Sequence, residues 1–130
     1  MIAHVLVLVH DLETSSVICD HLAEEGYRCT TAESLDEAEA VLARMTVDLV
    51  IADVGPSDEA AAYGLARLGE RAGVPAMAIV DEAVSLGEGG SLRVLKRPLR
   101  VSDLLANVAE LIEQRAGADE TAAPQHRRPA

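Results

Sequence analysis

Asp53 is the residue of this chain best placed to do chemistry. It follows the apolar run Asp48-Leu-Val-Ile-Ala52, and a carboxylate ending a buried strand stands where open α/β sheets collect their ligands. A plainer reading is a solvated strand-end acid that helps the chain turn. A cationic set follows Leu92–Leu95, namely Lys96 and Arg97 before Pro98, with Arg93 and Arg100 nearby. Lys96 is the only lysine in the sequence. The run Val5–Val9 delivers His10 and Asp11, and the run ending at Val80 delivers Asp81. A carboxylate facing arginine can pair with it in a bidentate fork. Facing further hard oxygens, it can share a divalent cation.

Other chemistries lack their residues. There is no GxxxxGK[ST] or GxGxxG phosphate cradle, no GxSxG elbow and no HExxH. Cys19 and Cys29 form neither CxxC nor a zinc spacing, so they read as two reduced, mostly buried thiols. With 22 Asp+Glu against 11 Lys+Arg the formal charge is −11, which argues against phosphate neutralisation and so against nucleic-acid binding. With no Phe or Trp and only Tyr27 and Tyr63, aromatic stacking on bases is nearly excluded as a recognition mode. Val5–Val9 is too short for a signal h-region or a membrane span. The expectation is a cytoplasmic protein without membrane partners.

The elements that position these residues can be placed next. The chain has 130 residues, 49% of them hydrophobic, enough for one domain with a full core. Val5–Val9, Asp48–Ala52, Val74–Val80 and Leu92–Leu95 are continuous apolar runs, the pattern of strands covered on both faces. Tyr27–Thr31 is a shorter β-rich run. Helices are predicted from Glu13–Ser15 to Gly26, behind the capping box Ser34-Leu-Asp-Glu37, over Ala60–Arg71 up to Gly73, and from Ser102–Asp103 onward. Strands alternating with helices imply a doubly wound, five-stranded parallel sheet of the flavodoxin-like class. The domain is expected over 1–116, with 117–130 a disordered tail.

The order of elements resembles that of a response-regulator receiver domain (CheY-like) over residues 3–115. The likeness is carried by Asp53 after Asp48-Leu-Val-Ile-Ala52, by Val74-Pro75 before the fourth strand, by Lys96-Arg97-Pro98 after the fifth, and by an ungapped start through Glu24-Glu-Gly-Tyr27. The resemblance implies that Asp53 accepts a phosphoryl group from a histidine kinase or phosphotransfer protein. It further implies two acidic residues holding Mg²⁺ at the end of the first strand, and a Lys pairing with the acyl phosphate. A Thr or Ser ending the fourth strand would close on the phosphate, followed by an aromatic residue on the fifth.

The chain departs from that pattern at several positions. The acidic pair falls on Val9 and His10, or one residue later on His10 and Asp11. The metal candidates reduce to Asp11 and Asp53, so Mg²⁺ binding is expected to be weak or absent and no other cofactor is implied. A protonated His10 would replace part of the missing cation. Arg97 takes the lysine position and Lys96 precedes it. Strand alternation lets only one of the two face the pocket. Val80 has no hydroxyl, and Val94 replaces the aromatic residue. Asp81–Ser91 is at the lower limit for a crossover with its helix, so the fourth helix is expected to be shortened or absent. The reading is a pseudo-receiver of two-component signalling. It is not an enzyme, and it works through contact with a histidine kinase, phosphotransfer protein or other signalling protein. The alternative is a working receiver phosphorylated at Asp53. An unrelated flavodoxin-like enzyme or ligand binder has no motif behind it.

Overall fold

The computed structural model describes residues 2–8, 12–53, 59–81 and 92–127. The elements are β1 (His4–Leu8), α1 (Leu12–Glu24), β2 (Arg28–Ala32), α2 (Leu35–Arg44), β3 (Leu49–Asp53), α3 (Glu59–Ala72), β4 (Ala76–Val80), β5 (Leu92–Lys96) and α4 (Val101–Arg127). The strands form one parallel sheet in the order β2-β1-β3-β4-β5. This is the doubly wound sheet expected from the alternating pattern. Residues 82–91, where the fourth crossover helix was expected to be shortened or lost, lie outside the described residues.

Successive strand residues point to opposite faces, and each face has its own core. On one, Leu6, Leu8, Val50, Ala52, Ala76, Ala78 and Val80 meet Ala38 and Val41 of α2 and Leu65 and Leu68 of α3. On the other, Val5, Val7, Leu49, Ile51, Met77 and Ile79 meet Ile18 and Leu22 of α1 and Leu104, Val108 and Leu111 of α4. Every residue of β1, β3 and β4 is buried, which is why these runs read as continuous rather than alternating. Fully burying one such side chain contributes about 1.5–3 kcal/mol, so the strand that ends in Asp53 is firmly held.

Local signals set the helix ends. Ser34 is extended (φ −150°, ψ 164°), and its Oγ accepts from the Glu37 amide at 3.1 Å. Glu37 reaches back, but its carboxylate accepts from the Glu33 amide at 3.2 Å, one residue before the cap. Gly26 and Gly73 have φ of +91° and +73°, the left-handed turn that ends α1 and α3. Buried His4 ties three segments together. Its amide donates to Asp48 Oδ2 at 2.9 Å, Nδ1 lies 3.2 Å from the Thr46 carbonyl, and Nε2 lies 2.6 Å from Thr30 Oγ1. These partners assign the proton to Nδ1, with Nε2 accepting from the hydroxyl.

One expectation is corrected. Cys19 on α1 and Cys29 on β2 are not free thiols but form a disulfide, with Cα atoms 5.8 Å apart. Helix α1 packs along β2 and brings the two within bridging reach. Closing a separation of 10 residues is worth about 2.7 kcal/mol in the chain-entropy account. The backbone of α4 runs helical to Arg127. Ala118, Glu120, Ala122 and Ala123 are good helix formers, and extending a nucleated helix adds one hydrogen bond per residue fixed. No helix among the described residues is long and apolar enough to cross a membrane.

Candidate functional site

Asp53, Asp81 and Arg97 meet at the carboxyl edge of the sheet. Asp53 is the last residue of β3 and shares a face with Leu49 and Ile51. Val80 pairs in register with Lys96, which brings the next residues, Asp81 and Arg97, side by side. The Arg97 amide donates to the Val80 carbonyl at 2.8 Å, and the Arg97–Pro98 peptide is cis.

The Arg97 guanidinium joins the two acids. Nη2 donates to Asp53 Oδ1, and Nη1 donates to Asp81 Oδ1 at 3.2 Å. The exposure is uneven: 1% for the Asp53 side chain, 30% for Arg97 and 43% for Asp81. The Asp53 link is therefore the desolvated one, where a counter-charge matters most. The Asp81 link is screened by water and weaker. A cleft of about 240 Å³ opens beside this group. One side is Val17, Ile18 and His21 of α1, and Leu99, Arg100, Val101 and Leu104 line it together with Ile79 and Asp53. Nδ1 of His21 lies 3.4 Å from Glu24 Oε1.

Of Lys96 and Arg97, it is Arg97 that bonds Asp53. Lys96 is exposed and shares strand parity with Leu92 and Val94 on the α2–α3 face. Val80 is fully buried and Val94 half-buried, both in that same core, so neither brings a polar group to Asp53. Val9, His10 and Asp11 lie outside the described residues. Among the described residues no three His, Cys, Asp or Glu side chains gather to hold a metal. Two features escaped the sequence reading. Asp81 is the second acceptor of Arg97, which its place one residue past Val80 could have signalled. The α1 wall of the cleft had no signal, because Val17, Ile18 and His21 read as an ordinary amphipathic helix.

Neither a protein-family model nor a curated protein matches the sequence. Solved structures do match. NtrX from Brucella abortus in complex with ADP aligns at a TM-score of 0.84 and 17% identity, over 100% of this chain and 30% of that one; this chain therefore spans under a third of the NtrX length. A CheY-like response regulator receiver domain protein from Methanospirillum hungatei JF-1 aligns at 0.76 and 19% identity, over 91% and 99% of the two chains. A response regulator from Thermotoga maritima aligns at 0.71 and 20%, over 87% and 99%. The chain has the CheY-like fold of response-regulator receiver domains.

Proposed function

We propose that this chain is an atypical receiver that signals by protein–protein contact, with Mg²⁺-dependent phosphorylation of Asp53 impaired. The observation that carries this reading is the pairing of Arg97 with buried Asp53. Phosphoryl transfer depends mostly on positioning and on neutralising the charge of the transferring group. Here a side-chain cation already occupies the carboxylate. A guanidinium offers N–H donors in a fixed fork, and here that fork already bonds Asp53 and Asp81. Among the described residues, the carboxylates at this edge, Asp53 and Asp81, are both engaged by Arg97, which supports weak Mg²⁺ binding. Asp53 is turned to Arg97, and Val80 adds no oxygen-bearing side chain. The partner is a signalling protein of the histidine kinase or phosphotransfer class. Exposed Val17 and Val101 flank the cleft and offer apolar contact area on that face.

The test is backbone amide spectroscopy during titration with millimolar Mg²⁺ and beryllofluoride or acetyl phosphate. The amides of Asp53, Val80 and Lys96 are expected to stay in place. Saturable shifts at all three would overturn the proposal in favour of a working phosphoacceptor.

A further inference from the structure

The disulfide joins the helix that walls the Asp53 cleft to an edge strand of the sheet. We propose that Cys19–Cys29 is a reversible thiol–disulfide modification site whose reductant is a dithiol, and that its state sets how firmly α1 closes against the cleft. The inference goes beyond the receiver reading and stands without it, because none of its readouts involves phosphoryl transfer.

Three observations support it. Cys19 follows Ile18 and precedes His21 by two residues, and both of those line the cleft. Cys29 lies on β2, which has the sheet on one side only. The cystine therefore tethers the cleft wall to the sheet margin. Both cysteines are half-buried rather than sealed in the core, and access is one of the factors that set thiol–disulfide exchange. Finally, the other anchors of α1 are few. Among its described side chains Ile18 and Leu22 are buried, while Val17 is 54% exposed. Cys19 and Cys29 pack at the margin of the core on the α1–α4 face, whereas the core on the α2–α3 face includes neither. Its loss should loosen one helix rather than unfold the chain, as local opening does in weakly packed segments.

The exchange balances with the dithiol alone. One thiolate of the dithiol attacks an Sγ, the Sγ–Sγ bond breaks, and a mixed disulfide forms. The second thiol displaces it, leaving two protein thiols and an oxidised dithiol; two electrons and two protons have passed to the cystine. Oxidised glutathione runs the reverse step.

The test uses the full chain, treated with oxidised glutathione or with dithiothreitol. Alkylation with mass detection counts thiols, and amide exchange reports on α1 against β3 and β4. The oxidised protein is expected to take up no alkyl groups and the reduced protein two. On reduction α1 should exchange at least ~10-fold faster while β3 and β4 hold, and re-oxidation should restore protection. The Cys19→Ser/Cys29→Ser variant should match the reduced protein. Should that variant fail to fold, reduced wild type gives the same comparison. The proposal fails if both thiols remain alkylable after oxidised glutathione, or if dithiothreitol leaves the bond intact in the folded chain. It fails equally if α1 exchange is unchanged, or if reduction unfolds the whole sheet.

Discussion

Asp53 is buried with its carboxylate against a guanidinium, so the two residues answer to each other energetically. Removing one partner of such a pair strands a charge out of water. Arg97→Ala is expected to lower stability by about 2–4 kcal/mol in urea unfolding at neutral pH. Asp53→Ala/Arg97→Ala should lose less than the sum of the single losses, with a coupling of about 1–3 kcal/mol. Additive losses would mean that the pair does not interact. A second residue, half-buried Tyr27, sits where burial, then Glu25 and Glu113, push its phenol above 10.0. The folded state therefore keeps that proton after the unfolded chain has released its own. The contribution of Tyr27 to stability should be full below about pH 10 and be lost as pH rises through the raised value. In a Tyr63→Phe background, absorbance titration of the one remaining phenol should give a midpoint above 10.0. Tyr27→Phe should flatten the alkaline loss.

At the scale of elements, glycine shows where packing overrules propensity. An Ala in a helix interior normally gains up to about 1 kcal/mol over Gly. In α3 a Cβ at Gly69 would lie 2.7 Å from the Val74 carbonyl oxygen, which is backbone and cannot swing aside. The Gly69 carbonyl meanwhile accepts from the Val74 amide at 2.8 Å, closing the turn into β4. Gly69→Ala is expected to lower stability by about 1–3 kcal/mol in thermal unfolding. Gly64→Ala, which meets only the Leu35 side-chain tip, should cost less. The order of elements, the Ser34 cap and the glycine stops were legible, because each depends on residues a few positions apart. The choice between Lys96 and Arg97 was not. β5 carries apolar residues at both parities, Leu92 and Val94 on one face and Leu95 on the other, so the pattern alone leaves its facing open. The cystine was hidden for a related reason: whether Cys19 meets Cys29 is decided by how α1 lies along β2.

For the whole molecule, stability rests on two cores sharing one sheet. Among the described side chains, the apolar contacts of α4 with the core on its face of the sheet come from Leu104, Leu105, Val108, Leu111 and Ile112. Truncation after Ala116 is expected to shift Tm by less than ~3 °C, even though the backbone stays helical to Arg127. A larger drop in a scanning unfolding experiment would place a docking contact in the removed segment. The two margins of the sheet remain. An open sheet ends in strands whose outer N–H and C=O groups can recruit a further strand, and lysine on such an edge obstructs stacking of one molecule on another. Strand β5 is one margin, and Lys96 stands exposed at its last position with Arg93 three residues before it. Arg28 opens β2 on the opposite margin. Arg93 is held by Glu110 and Asn107, which leaves Lys96 as the exposed cation of β5. The chain's one lysine, turned away from Asp53, thus sets a charge on a sheet margin, where charge disfavours edgewise growth from one molecule to the next.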